Sequence, residues 1–176
     1  MSGVSGSAGR TGGALLEVAR DYLRGEYVPK IRRCLDRLDR DDVWWRPNEA
    51  CNSVGNLLLH LAGNTRQWIV SGVGGVEDVR RRAREFERGD GDPEELFDHL
   101  RETVDEACGV LEELDPGALG EVRTIQGQEV TVLEAVCHVV EHFSMHTGQI
   151  VYVTKERTGR TLEFYRVEDG VAEENW

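Results

Sequence analysis

The stretch of sequence that decides the fold is residues 131–159, TVLEAVCHVVEHFSMHTGQIVYVTKERTG. It opens with Thr-Val-Leu-Glu, a capping box in which Thr131 and Glu134 satisfy the first backbone N–H groups of a helix. Its apolar residues then recur at three- and four-residue steps, which is the period of an amphipathic helix, and Gly159 provides a stop. The sequence therefore predicts one long helix over this stretch.

Three further stretches have the same helical period. The first begins near Ala14 and continues to Leu38, with a kink expected at Pro29 because proline removes a backbone hydrogen bond. The second begins at the N-cap residue Ser53 and ends near Ser71, and the third begins at Asp92-Pro93 and ends near Leu114. Residues 122–130 have the pattern of a small hairpin. The predicted fold class is all-α, a four-helix bundle with long connections.

The remaining segments set the domain boundaries. Residues 1–13 are rich in Gly and Ser, so we expect a flexible tail there. Residues 14–176 then form a single domain, since this length suffices for one sizeable core. The charge-dense segment 77–91 is interpreted as a solvated connection with room for a short helix. The acidic segment 161–176 is expected to pack as an arm or to fray.

Composition excludes several classes of function. A net charge of -12 without a basic stripe argues against a nucleic-acid partner. No run approaches the roughly 20 apolar residues that span a bilayer, and the N-terminus lacks a hydrophobic signal core, so we expect a cytoplasmic protein with no membrane partner. The four cysteines are scattered without CxxC spacing, which favours reduced and mostly buried thiols.

The helix of residues 131–159 contains three histidines spaced four residues apart, His138, His142 and His146. Residues at this spacing share one face of a helix, so two such rings can hold one ion. On a wheel of about 100° per residue, His146 lies about 80° from the centre of the apolar face, His142 about 120° and His138 about 160°. The pair His142 and His146 thus borders the core, whereas His138 is predicted to point outward.

A fourth histidine, His60, lies on the second predicted helix in a stripe with Asn56, Asn64 and Gln67. This stripe is polar but uncharged, which is unusual for the solvent face of so acidic a protein. Neutral hydrogen-bonding side chains instead suggest an internal cleft or the surroundings of a bound ion. Together with the pair on the last helix, the stripe suggests a metal site built by His60, His142 and His146.

Several motifs resemble the DinB/YfiT-like superfamily. They are LLLHL at residues 57–61, HFSMHTGQI at residues 142–150 and WWRP at residues 44–47, and the likeness extends over nearly the whole chain after residue 13. The resemblance implies a four-helix bundle, often a homodimer, in which His60, His142 and His146 bind a divalent metal ion, typically nickel, zinc or iron. It also implies a thiol S-transferase or hydrolase that acts on a small molecule, with a low-molecular-weight thiol as cosubstrate in some relatives.

A second motif competes for two of these histidines. His138-Val139-Val140-Glu141-His142 matches HxxEH, in which two histidines bind zinc and the glutamate is the base of a peptidase. Such enzymes need a third ligand well downstream, and only 34 residues follow His142. Glu141 also falls on the outward side of the helical wheel, so this interpretation is the weaker one.

Three protein ligands leave a coordination position open, as in catalytic rather than structural zinc sites. Asn64, Gln149 and Tyr152 are candidates to support the ligands or to bind substrate, but the sequence identifies no general base. The competing hypothesis is therefore a non-catalytic module that binds metal or a partner.

Overall fold

Four long helices dominate the computed structural model, which describes residues 3–175 and the side chains of residues 9–175. The predicted all-α four-helix bundle is confirmed. In chain order, the long and short helices are α1 with its consecutive segments Gly3–Arg20, Asp21–Tyr27 and Val28–Leu35, the short α2 (Arg40–Trp44), α3 (Val54–Thr65, continued by Arg66–Ser71), the short α4 (Arg82–Glu87), α5 (Pro93–Glu113) and α6 (Val132–Thr158). A 3₁₀ turn, Pro116–Gly120, lies between α5 and α6.

Two small antiparallel hairpins accompany the helices. Strands β1 (Val122–Ile125) and β2 (Gln128–Thr131) form the hairpin expected over residues 122–130, and they turn at Gln126 and Gly127, which both have positive φ. Strands β3 (Tyr165–Glu168) and β4 (Val171–Glu174) form a second hairpin where an arm or a frayed end was expected. Its turn is Asp169-Gly170, again with positive φ at both residues.

The helix ends follow the capping residues of the sequence. Ser53 caps α3 and Thr131 caps α6, each as half of a reciprocal capping box, and the side chain of Asp92 caps α5. Gly159 ends α6 in the left-handed conformation at φ 62°, which glycine adopts without steric penalty. These caps fix where the histidine-bearing helices begin and end.

The start of the first helix corrects the sequence prediction. Within the predicted flexible tail, residues 3–13 are helical, so α1 begins at Gly3 rather than near Ala14, while Met1 and Ser2 lie outside the described residues. Gly12 approaches the turn Pro116–Gly120 so closely that a Cβ there would lie 3.0 Å from Leu119 Cδ1. Tertiary packing at this glycine offsets the low helix propensity on which the prediction rested.

Pro29 has no backbone N–H to donate, and the regular α-helical hydrogen bonding of α1 changes just before it. The segment before it, Asp21–Tyr27, is wound as a π-helix, and the N–H of Val28 bonds to the carbonyl of Leu23, five residues back. The disturbance predicted as a kink thus takes the form of wide helical turns, which are a known local change at prolines and functional sites.

The core lies between the four long helices, and its packing positions the histidines. Leu58 and Leu61 of α3 and Phe143 and Ile150 of α6 are almost completely buried. With α3 packed against both α5 and α6, the polar stripe of α3 faces the histidine-bearing side of α6. Within residues 3–175, none of the helices has the length and apolar character needed to cross a membrane.

Candidate metal centre

The structure brings the three predicted ligands together. The ring centroid of His60 on α3 lies 4.8 Å from that of His142 and 5.1 Å from that of His146. The two rings on α6 are 4.4 Å apart, as expected for residues one helical turn from each other. One ligand atom from each ring can be chosen so that all three lie within 4.8 Å of one another.

The spacing of the ring nitrogens fits a shared ion. His142 Nε2 lies 3.0 Å from His60 Nε2 and 3.2 Å from His146 Nε2. Bonds of about 2.0 to 2.1 Å at tetrahedral angles would separate two ligand nitrogens by about 3.3 Å. Two of the three nitrogen–nitrogen distances are therefore already close to those of a shared tetrahedral site.

Burial keeps the rings of His142 and His146 neutral, which is the form that binds metal. Burial lowers the pKa of His142 to about 3, and His146, His60 and other nearby groups add to this shift. Burial also lowers the pKa of His146, against the opposing hydrogen bond to Gln149. At neutral pH both rings consequently offer lone pairs rather than a positive charge.

A buried ion pair supports His60 from behind. Glu85 Oε2 accepts a hydrogen bond from His60 Nδ1 at 2.8 Å, and Arg80 donates to both oxygens of Glu85 at 2.7 and 2.9 Å. Burial alone would raise the pKa of Glu85, but the hydrogen bonds from Arg80 and His60 outweigh it and lower that pKa. The carboxylate is therefore ionised and acts as an acceptor.

Most of residues 77–91 are exposed, as expected for a solvated connection, but this buried pair is an exception. The segment includes the expected short helix α4, but Glu85 is only 8% exposed and the Arg80 side chain only 5%. Little in the sequence indicated that Arg80 and Glu85 are buried, because charge-dense loops are usually on the surface. The uncharged stripe of α3 was the better indication that another part of the chain covers this face. Asn56 Nδ2 of that stripe donates hydrogen bonds to the backbone carbonyls of Glu85 and Arg88.

Gln149 supports His146 on the opposite side of the cluster. Its Oε1 accepts a hydrogen bond from His146 Nδ1 at 2.6 Å, so the proton of that ring lies on Nδ1. His60 and His146 consequently both direct an unprotonated Nε2 toward His142. His142 Nδ1 is buried without a hydrogen-bond partner in the described structure.

A cation would satisfy this arrangement of ring nitrogens. Three ring nitrogens from two helices converge on one point, and three neutral imidazoles, with one proton each, cannot satisfy every nitrogen lone pair there by hydrogen bonds among themselves. Unsatisfied buried polar groups are uncommon in native proteins, and a missing ion or water is a usual reason for them. The donor set thus fits a divalent metal ion.

His138 is not the solvent-facing residue that the helical wheel predicted. Its ring is half-buried and packs on Trp68 with centroids 4.0 Å apart. Its Nε2 lies 3.3 Å from Asn64 Nδ2, so Asn64 contacts His138 rather than the three clustered rings. Burial lowers the pKa of His138, which keeps this ring neutral as well.

The HxxEH interpretation is not supported by this geometry. The rings of His138 and His142 are 5.5 Å apart, but His138 Nε2 is directed at Asn64. Glu141, which would serve as the base, is exposed. The group of described side chains that could hold a metal ion contains His146 and His60 together with His142, and not His138.

A cavity of about 620 Å³ lies one helical turn from the cluster. Its walls include Trp45, Leu57, Cys51 and, from α6, Gln149 and Tyr152. None of the three clustered histidines lines it, but Gln149 borders the cavity and also bonds to His146. Tyr152 is 69% exposed, so it belongs to the wall of this cavity and not to the support of the ligands.

Comparison with known proteins agrees with this fold. The sequence profile of a family described as "Protein of unknown function (DUF1572)" matches residues 11–170. The chain belongs to this family. No curated protein matches the DUF1572 protein described here. Its fold is that of DinB-like proteins, as the sequence motifs indicated.

Two solved structures show the likeness. A DinB-like protein from Bacillus cereus has a TM-score of 0.62 at 16% identity, over 77% of this chain and 88% of that one. A conserved protein from Enterococcus faecalis has a TM-score of 0.61 at 17% identity, over 86% of this chain and 97% of that one. At such identities the likeness of this DUF1572 protein to them establishes the fold alone.

Proposed function

We propose that this protein is a metal-dependent enzyme that acts on a small molecule, as a thiol S-transferase or a hydrolase, through a divalent ion held by His60, His142 and His146. The observation that carries the proposal is the convergence of the three Nε2 atoms from two different helices. Nickel, zinc and iron all accept imidazole ligands, and availability contributes to which one is bound.

The chain supplies a binding place beside the ligands. A divalent ion bound by the three histidines would supply Lewis-acid chemistry, which lowers the pKa of a water or thiol ligand. Trp45, Leu57 and Val153 give the neighbouring cavity an apolar wall that can exclude water from a small substrate. Gln149 holds His146 in its tautomer at the border of this cavity, and Tyr152 and Cys51 add polar groups to the wall.

The experiment begins with elemental analysis of protein purified without an affinity tag. We expect close to one nickel, zinc or iron per chain, removable by chelation. The metal-loaded protein is then assayed with low-molecular-weight thiols plus electrophiles, and with activated esters and amides. Turnover that the His142→Ala variant lacks would support the proposal, whereas a metal-loaded protein inactive on every substrate would contradict it.

One observation favours a non-catalytic alternative. Among the described residues, Glu85 is the only carboxylate hydrogen-bonded to the three rings, and Arg80 and His60 already occupy its oxygens. No free general base is thus in contact with the cluster in the described chain. A structural metal would make chelation unfold the protein and would leave no exchangeable water, whereas an enzyme keeps one and stays folded.

The proposal includes a cytoplasmic homodimer. Its support is the family resemblance together with the exposure of two large side chains of α6, Met145 at 54% and Tyr152 at 69%. Sedimentation equilibrium should give twice the monomer mass of 19.8 kDa. A monomer at micromolar concentration would contradict this part alone.

A further inference from the structure

The Glu85 carboxylate, held in place by Arg80, lies directly behind the ring of His60. We infer that Glu85 is a positioning residue, which fixes the His60 ring with its proton on Nδ1 and its Nε2 lone pair directed at His142 and His146. The effect on metal binding rests on the proposed metal site, but the tautomer of His60 can be measured in the protein without metal.

The geometry leaves Glu85 one role toward His60. Its Oε2 lies 2.8 Å from His60 Nδ1, and an ionised carboxylate can only accept a hydrogen bond. Arg80 Nη2 carries two protons and lies 3.1 Å from His60 Nδ1 as well as 2.9 Å from Glu85 Oε2, but an unprotonated Nδ1 would place its lone pair 2.8 Å from the ionised carboxylate oxygen and be repelled by it. His60 Nδ1 must consequently be the protonated nitrogen.

Several contacts hold the carboxylate at this position. Arg80 binds both of its oxygens and also donates from Nη1 to Gln67 Oε1 at 2.8 Å, which connects the loop to α3. Asn56 binds the backbone carbonyl of Glu85 at 2.9 Å. Gly63 leaves room for the side chain, since a Cβ at that position would overlap Glu85 Oε1.

The purpose of such a contact is clear from imidazole chemistry. A neutral histidine side chain without a partner prefers its proton on Nε2, the nitrogen that here faces the other two rings. A carboxylate behind Nδ1 reverses this preference, orients the ring and raises its basicity as a ligand. Loss of comparable partners behind metal-bound histidines typically weakens metal affinity by about 10- to 100-fold.

The test uses a double variant, Arg80→Leu with Glu85→Leu, because removing Glu85 alone would leave a buried guanidinium unpaired. Long-range ¹H–¹⁵N NMR spectra of metal-free protein report the tautomer of each histidine. We expect His60 to be protonated on Nδ1 in the wild-type protein and mainly on Nε2 in the double variant. Glu87→Leu, on the exposed side of the same helix, is the matched control and should leave His60 unchanged.

A second variant removes the contact without removing any charge. Gly63→Ala should displace the carboxylate of Glu85 and shift the His60 tautomer in the same direction. Amide NMR spectra establish that each variant is folded. A His60 ring that keeps its Nδ1 proton in both folded variants would overturn the inference, as would a wild-type ring protonated on Nε2.

Metal binding supplies the second readout. Competition with a chelator should give a zinc affinity about 10- to 100-fold weaker in the double variant, and the visible spectrum of its cobalt(II) form should change at saturation. Loss of stability alone would not change the saturated spectrum, so an unchanged spectrum and affinity would contradict the positioning role. If the wild-type protein binds no metal, the proposed function fails, and the tautomer measurement still decides the role of Glu85.

Discussion

The three histidines of α6 differ in the side chains that surround them. His138, His142 and His146 are chemically identical and evenly spaced along α6, yet they have different neighbours. His138 packs on Trp68, whereas His142 and His146 direct Nε2 toward a common point with His60. Which ring can bind an ion therefore depends on the side chains across the helix interface.

This difference predicts the metal content of alanine variants. His146→Ala removes one of the converging nitrogens, so we expect bound zinc to fall from about one per chain to near zero after dialysis. His138→Ala should retain the metal, because its Nε2 is directed at Asn64. The exposed His99 on α5 is the control for the loss of an unrelated histidine. Metal loss on replacing His138 but not His146 would favour the HxxEH site instead.

The four cysteines predict a second experiment. Burial raises the pKa of the Cys34 and Cys108 thiols to about 11, so the reactive thiolate is scarce at neutral pH. Cys137 is exposed and Cys51 is partly exposed. We expect iodoacetamide at pH 7.5 to alkylate Cys137 first and Cys51 next, as followed by peptide mass spectrometry.

Cys34 and Cys108 should react only after denaturation. Early modification of either one in native protein would contradict the described burial. The expectation of mostly buried thiols holds for these two but is wrong for Cys137, which lies on the outer side of α6.

For individual residues, the sequence predicted which histidines lie close together but not which side chains pack around them. Helical periodicity places a residue around its own axis, so the pair His142 and His146 could be chosen without coordinates. It contains no information on what packs against that face, and so His138 was misplaced and Glu85 was missed. Both depend on contacts between residues 20 or more positions apart in the chain.

Among the helices and strands, α6 is stabilised by the capping box in its first turn. The hydroxyl of Thr131 accepts from the N–H of Glu134, and the Glu134 side chain accepts from the N–H of Thr131. Thr131→Ala should lower the free energy of unfolding by about 1 kcal/mol, the usual cost of losing an N-cap. Urea denaturation measures this, with the exposed Thr161→Ala as control. Equal stability of the two variants would show that the cap contributes little.

The helices with strong end signals were predictable, and two segments were not. Caps and proline or glycine positions defined α3, α5 and α6 because these signals act locally. The second hairpin also had a local signal, since Asp-Gly is a preferred two-residue hairpin turn, but the mostly exposed strands of this hairpin lack a clear alternation. The early start of α1 had no local signal, because it depends on packing against residues more than 100 positions away.

For the whole molecule, a bound ion would connect two helices that are distant in the sequence. Because a ligand that binds only the folded state stabilises it, free zinc at about 100 times its Kd should add about 2.7 kcal/mol to the free energy of unfolding. We expect thermal denaturation to shift upward with zinc in the wild-type protein. His60→Ala should show no such shift, although its own metal-free stability is a separate measurement. An equal shift in both proteins would mean that zinc binds elsewhere.

The whole-molecule architecture was the most predictable level. Four apolar periodicities of suitable length leave few alternatives to a bundle, and the two solved structures described above share the fold at only 16 to 17% identity. Many sequences thus satisfy the same packing, whereas the polar contacts behind His60 depend on individual side chains.

The close approach of Gly63 to Glu85 has an evolutionary consequence. Position 63 can gain a side chain only if position 85 no longer holds a buried acid, so the two positions are not free to drift separately. Related genes with a larger residue than glycine at position 63 are therefore expected to lack a buried acid at position 85.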